Sequence, residues 1–284
     1  MAKKAYESSR LLLGEPDEID FRYSNILLML GHVETFSGNY KDARKLYDNS
    51  IEFLNFRQKP TYFQFPVFTY FYERDYEQAI ISFSKMRSEI NTSDQDQEWK
   101  TENITLMEEN IFVSHLHNSN EQGANKSLQQ IAGFKRNELN SYLTSGASRE
   151  QLLALKNNND IYLQELRLWK DIIFGASNVE QQLNRLKTLL EKNLAQDPNA
   201  MTLYHKYSGY AAIMAGDDQA AIRHYSVISN IEMDDDNYHS YFYAIALRGS
   251  GDTEKSSAIL KRVAENTFAT RGAALVQMLA KRQL

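Results

Sequence analysis

The sequence predicts an all-α chain built as a right-handed α-solenoid, in which antiparallel helix pairs stack in about five to six repeats around an irregular middle. Three observations predict it. First, one phrase occurs four times, a sharp turn followed by a helix that opens towards a small residue: Gly38-Asn39-Tyr40-Lys41-Asp42-Ala43, Arg74-Asp75-Tyr76-Glu77-Gln78-Ala79, Gly216-Asp217-Asp218-Gln219-Ala220-Ala221 and Gly251-Asp252-Thr253-Glu254-Lys255-Ser256. Second, a large residue follows each small one by four positions, Tyr47, Phe83, Tyr225 and Leu260, and the phrases are spaced by 36 residues (38 to 74) and 35 residues (216 to 251). Third, Gly and Pro number only 12 and 4 in 284 residues, which suits long helices. A period of one turn and two helices marks a stacked helical array.

The elements follow in order. Residues 3–13 read as a short helix stopped by Gly14 and Pro16, like the second helix of a pair whose first is missing. This is either an N-terminal cap or the start of a chain cut within a longer array, and the weakly polar outer face favours the second. Asp17 or Asp20 caps the next helix, which carries Phe21, Ile26, Leu27, Leu30 and Val33 at helical spacing. After the Gly38 turn, Ala43, Leu46, Tyr47, Ile51 and Leu54 mark its partner, and Pro60 ends the unit. The aromatic stretch Thr61–Tyr72 has strand-like composition. Pro66 argues against a central strand, so a short helix starting near Pro66 is expected.

A helix over Tyr76–Ile90 leads to a polar loop, and Trp99–His117 and Asn120–Leu143 read as two more helices. Ala124 lies 45 residues after Ala79, so an insertion is expected around 93–119. Ser148 with Gln151 forms a capping box opening a helix through Leu155, and Asn157-Asn158-Asn159 is expected to be a joint. Helices are then expected over Ile161–Phe174, Val179–Ala195, Met201–Ala215, Gln219–Ile231, Tyr238–Arg248 and Thr253–Asn266, with Thr267–Gln283 as a final capping helix. The whole of 1–284 is expected to form one array. Residues 1–95 would be N-terminal repeats, 96–157 an irregular helical middle, and 158–284 C-terminal repeats with the cap.

The pattern resembles the tetratricopeptide repeat family. The residues carrying the resemblance are Leu30-Gly31 with Ala43 and Tyr47; Ala79 with Phe83; Gly209 with Ala221 and Tyr225; Tyr243-Ala244 with Ser256 and Leu260; and Pro198 between units. Departures are the aromatic first helix with Pro66, the insertion, and the extra helix near Gln151. The resemblance implies a concave groove lined by the first helix of each pair. Register places Asn25, His32, Tyr72, Lys206, Tyr210, Met214, Tyr238, Tyr241 and Arg248 on or near it, together with Leu28, Phe68 and Phe71. Tyr and Arg suit binding hot spots, while the plain alternative is that these aromatics fill the space between repeats. A carboxylate clamp of the co-chaperone type is not expected, because Lys206, Arg248 and Asn25 fall in distant repeats.

Charge and chemistry narrow the function. Net charge is −5, which disfavours nucleic acid, and no run approaches the roughly 18 apolar residues of a membrane span. With no cysteine, thiolate chemistry and disulfides are excluded. His115 and His117 point ~200° apart on a helix and cannot share a metal. His205 and His224 fall on neighbouring helices and are read as ordinary packed histidines. Asp94-x-Asp96-x-Glu98 and Asp234-Asp235-Asp236 lack the glycine and glutamate of a calcium loop. No phosphate-cradling glycine loop or nucleophile elbow is present.

The expectation is therefore a non-catalytic scaffold, with no cofactor and no metal, that binds a protein or peptide in its groove. Homodimerisation is a further expectation. Cytoplasmic location is expected, or periplasmic if a signal has been removed. The alternatives are a regulatory, sensor or self-association domain of a larger protein, and an enzyme centred on His205 and His224.

Overall fold

The computed structural model describes residues 2–14, 16, 18–194 and 197–284, and all regular structure among them is helical. The chain gathers into two compact units, Met1–Ser114 with Glu265–Met278, and His115–Ala264 with Leu279–Leu284.

In the first unit, α1 (Ala2–Leu13), α2 (Phe21–Phe36), α3 (Tyr40–Glu52), α4 (Lys59–Glu73) and α5 (Tyr76–Thr92) each pack on the next. The Asp20 carboxylate accepts from the Arg22 and Tyr23 amides and caps α2, and Asp75 accepts from the Gln78 amide to cap α5. The alternative cap, Asp17, lies outside the described residues. The small-then-large pairs carry the packing: Ala43, Tyr47, Ala79 and Phe83 are all buried, and Phe68 and Phe71 meet the Phe83 ring from α4.

Where α2 crosses α3 the backbone of Gly31 lies against the Tyr47 ring, so closely that a Cβ on Gly31 would stand 2.4 Å from Tyr47 Cε1. The Tyr47 hydroxyl bonds Thr35 Oγ1 at 2.9 Å and His32 Nδ1 at 2.8 Å, and Thr35 Oγ1 donates to the Gly31 carbonyl.

The aromatic stretch departs from expectation. α4 begins at Lys59, about two turns before Pro66, with Pro60 in its first turn and Pro66 inside it. Pro60 thus opens a helix rather than ending a unit. An internal proline removes one backbone bond, and here the Thr69 hydroxyl donates to the Pro66 carbonyl. Burial of Val67, Phe68, Phe71 and Tyr72 outweighs the lost bond.

α6 (Gln97–His117) crosses the boundary between the units, and its residues 103–114 are buried on several sides. Arg87 on α5 pairs with the buried Glu108, and Asn110 donates to Gln64 on α4. α15 (Arg271–Gln283) starts later than the expected Thr267. It is not simply a cap on its chain neighbour, because Arg271 pairs with Glu109 of α6 at 2.6 Å, a contact spanning 162 residues.

In the second unit, α7 (Glu121–Thr144) is capped by Asn120, and α8 (Arg149–Ile173) opens on the expected Ser148–Gln151 capping box. α8 then runs unbroken through Asn157-Asn158-Asn159, where a joint was expected. Two of the three carboxamides bond outward instead of competing for their own backbone: Asn157 Nδ2 donates to Asn193 Oδ1 at 2.7 Å, and Asn159 Nδ2 to Glu138 Oε2 at 3.2 Å. α9 (Val179–Glu191), α10 (Thr202–Met214) and α11 (Asp218–Tyr225) follow. The expected end of α9 at Ala195 lies outside the described residues.

The single helix expected over Gln219–Ile231 is two. Ser229 and Glu232 form a capping box that stops α11 and opens the short α12 (Asn230–Asp234). α13 (Asn237–Gly249) and α14 (Thr253–Glu265) complete the unit, with the Ser256 hydroxyl donating to the Ala244 carbonyl at 2.7 Å. Ala221, Tyr225, Ser256 and Leu260 are wholly buried, and Gly209 meets the Tyr225 ring as Gly31 meets Tyr47.

Each repeated phrase turns its corner through a left-handed residue: Gly38 (φ +82°), Gly216 (+79°), Gly251 (+94°), and at the second phrase Arg74 (+60°). A side chain strains this conformation by about 1 kcal/mol. Arg74→Gly is therefore expected to stabilise the protein by about 0.5 kcal/mol after the unfolded-chain entropy of glycine is subtracted. The urea midpoint measures it, and a lower midpoint would mean that the Arg74 side chain contributes more than its strain costs.

Candidate binding cleft

The groove residues read from the sequence divide between exposed and buried positions. In the first unit, the Asn25 carboxamide accepts from the Tyr62 hydroxyl at 3.1 Å, and His32 is held by Tyr47. Tyr72 is 6% exposed and stacks on Tyr40. It is core, not groove, and burial pushes its phenol up.

In the second unit, Tyr210, Tyr238 and Tyr241 are 3%, 6% and 8% exposed, so these rings do not present a contact face. The Trp169 indole donates to the Tyr238 hydroxyl, which donates to the Tyr210 hydroxyl, each at 3.2 Å. Tyr241 packs edge-on against Phe242. Tyr210 and Tyr238 are drawn inward because α8, α10 and α13 converge here and their hydroxyls bond each other and the Trp169 indole. Phe68, Phe71 and Leu28 are likewise core. Of the remainder, Met214 is 53% exposed and Arg248 donates to Gln283 at 2.7 Å.

Tyr238→Phe is expected to cost about 1–2 kcal/mol by leaving the Trp169 donor buried without its acceptor. The urea midpoint followed by circular dichroism checks this, and an unchanged midpoint would show that the hydroxyl chain contributes nothing.

Lys206 leads to the cleft. An open cavity of about 400 Å³ lies among α8, α9 and α10, within the size range of ligand sites. Ile161, Tyr162, Leu190, Ala200 and Leu203 form its apolar wall, and Asn158, Asn193 and Asn199 bring three carboxamides to its edge. Glu165, Asp197, Thr202 and Lys206 complete the lining.

These polar groups are fixed from behind. The buried Tyr207 hydroxyl donates to Glu165 Oε1 at 3.0 Å, and the Lys206 ammonium sits 2.8 Å from Asp236. Thr202 donates to Glu232, whose carboxyl is held low chiefly by the Ser229 hydroxyl. Asp236 caps α13 by accepting from the His239 amide. Burial opposes its ionisation, but the neighbouring His239 and Lys206 outweigh burial and hold its carboxyl low. Burial pushes the His239 imidazole down against the pull of Asp236.

His205 and His224 do meet, Nδ1 to Nδ1 at 3.2 Å, with Tyr204 edge-on to both. Burial, then Lys187, lowers His205; burial, then His205 and Arg223, lowers His224. The ring centroids are 5.4 Å apart, so the two nitrogens point almost directly at each other, the geometry of one neutral imidazole donating to the other. No group of three or more metal-ligating side chains gathers among the described residues.

The sequence reading missed Asn158, Asn193, Asn199 and Glu165. The signal was present as Asn157-Asn158-Asn159, a run taken for a helix break. Compared with known proteins, the chain matches no family model, and no curated protein matches it. Among the described residues no helix is long and apolar enough to cross a membrane.

Proposed function

We propose that the chain is a non-catalytic binding scaffold of tetratricopeptide-like, right-handed α-solenoid type, taking a protein or peptide segment on the side of the first helices of its pairs. The observation that carries this is the open cleft between α8 and α10, first helices of successive pairs, with rigidly held polar groups over an apolar wall. Preformed surfaces of this kind bind without a large ordering cost. The buried small-then-large pairs support the repeat reading, since each one fills a helix-hairpin interface.

The test is selection of short random peptides displayed on phage, using the wild-type chain beside Leu203→Arg, which fills the cleft. Peptides retained by wild type and lost by the variant, with folding verified by circular dichroism, support the reading. Peptides retained equally by both would move the contact elsewhere, and none retained would end it.

A second reading, self-association, is favoured by the exposed apolar side chains Leu11, Leu12, Ile19 and Phe21. Sedimentation of wild type and Leu12→Lys separates it: a dimer dissociated by the lysine supports it, and a monomer at all concentrations removes it.

A further inference from the structure

The first unit holds a cavity of its own, of about 430 Å³, between the last turn of α1, the first turns of α2 and the end of α3. It shares no lining residue with the cleft of the second unit. Its floor is apolar: Tyr23 and Leu27 are 7% and 3% exposed, and Phe53 meets the Tyr23 ring edge-on at 4.8 Å. The frame behind the floor is fixed. Ser24 and Ser50, both wholly buried, bond each other across α2 and α3 at 3.0 Å, and Lys3 pairs with Glu34 to tie α1 to α2.

Four polar groups come to this space unengaged. Arg10 of α1 is half-buried, and Asn49 and Glu52 of α3 are exposed at the rim. Among the described residues none of these three side chains makes an ion pair or a hydrogen bond. Solvent serves such groups at no great cost, so by themselves they say little. Tyr23 says more. Its amide is taken by the Asp20 carboxylate, but its hydroxyl has no partner among the described residues, although the ring is buried. A buried phenol ordinarily finds a partner.

The set is the complement of one kind of molecule. A guanidinium grips a carboxylate through two parallel bonds, and a carboxylate at the same rim calls for an ammonium. Here the two stand at one opening without pairing with each other. The floor takes an apolar body, and the volume is in the range of small-ligand sites.

We propose that this cavity binds a small zwitterion with an apolar body, a free α-amino acid with a large side chain. Arg10 takes its carboxylate and Glu52 its ammonium. Asn49 and the Tyr23 hydroxyl bond the polar end, and the side chain lies on Leu27 and Phe53. A ligand seated there touches three helices at once. It therefore fastens α1, which buries none of its own residues, onto the α2–α3 hairpin.

The experiment is isothermal titration calorimetry of the full chain with L-phenylalanine and L-leucine. Two analogues stand beside them, phenethylamine, which lacks the carboxylate, and 3-phenylpropanoate, which lacks the ammonium. The variants are Arg10→Gln and Glu52→Gln, both at the cavity mouth and both required to melt as wild type does. L-phenylalanine should bind wild type at least about tenfold more tightly than either analogue at low salt. Arg10→Gln should remove its advantage over phenethylamine alone, and Glu52→Gln its advantage over 3-phenylpropanoate alone. Binding should also slow proteolytic cleavage within α1, a readout that places the ligand against that helix. Analogues bound as tightly as the amino acid, or variants that leave both ratios unchanged, would overturn the assignment. So would no binding of either amino acid at about 10 mM, well above the range of a working site.

Discussion

Gly209→Ala is expected to destabilise the protein by about 2 kcal/mol, although alanine is the better helix former by about 1 kcal/mol. The reason lies in the α10–α11 crossing. A Cβ on Gly209 would stand 2.7–2.9 Å from three atoms of the Tyr225 ring, where ordinary contact is 3.4 Å or more. The ring cannot step aside. Tyr225 is wholly buried, with Tyr243 tilted against it at 5.5 Å and its hydroxyl 3.4 Å from His239. Closely packed interiors answer an added methyl with backbone shifts rather than rotamer changes.

Gly31→Ala in the first unit should behave the same way against Tyr47, with the closer approach of 2.4 Å making it the worse of the two. The urea midpoint measures both. A double-mutant cycle gives the sharper check: Tyr225→Leu should cost less in the Gly209→Ala background than in wild type, because the smaller side chain makes room for the methyl. A raised midpoint for Gly209→Ala, or strict additivity, would show that the ring is not what excludes the methyl.

The second large effect is acid sensitivity. Burial holds the His32 imidazole down to about 4, against about 6.5 in an unfolded chain. Between those values the unfolded state binds a proton that the folded state refuses. The contribution of neutral His32 is therefore fully present above pH 6.5 and lost as pH falls towards 4, amounting to on the order of 3 kcal/mol. Burial pushes His239, His205 and His224 in the same direction, so the whole chain should weaken steeply over this window.

His32→Asn isolates the first contribution, since asparagine places an amide donor near the position of Nδ1 and does not titrate. The slope of stability against pH between 4 and 6.5 should fall by about one proton in the variant. Equal slopes would mean that His32 is protonated in the folded protein.

What the residues disclosed, and what they withheld, have separate physical causes. Ala43 with Tyr47 and Ala221 with Tyr225 were legible because a small residue four positions before a large one sets the depth of a helix crossing locally. The Asp20 and Ser148 caps were legible because a side chain reaches a backbone amide two or three residues away. Pro66 and Asn157-Asn158-Asn159 misled because both are locally helix-breaking. Their tolerance depends on partners elsewhere, Phe83 for the helix around Pro66 and Asn193 and Glu138 for the asparagines.

The tyrosines were assigned to the groove by register, but register gives the face of one helix and not the neighbours it meets. Tyr210 shares a face of α10 with Lys206 and still points into the core, where it meets the Tyr238 hydroxyl. The cleft itself is formed by three helices and the connection between α9 and α10, and no local pattern encodes such a meeting.

The pairing of Arg271 with Glu109 bears on how the protein is made. Closing a chain segment of 162 residues costs about 4–5 kcal/mol in loop entropy, and the segment must first exist. At translation rates of about 5–20 residues per second, α6 waits roughly 10–30 seconds after leaving the ribosome before Arg271 arrives. The first unit is thus begun early and finished last. For that interval Glu109 lacks Arg271, so the ion pair that ties the two stretches of this unit together forms only as synthesis ends.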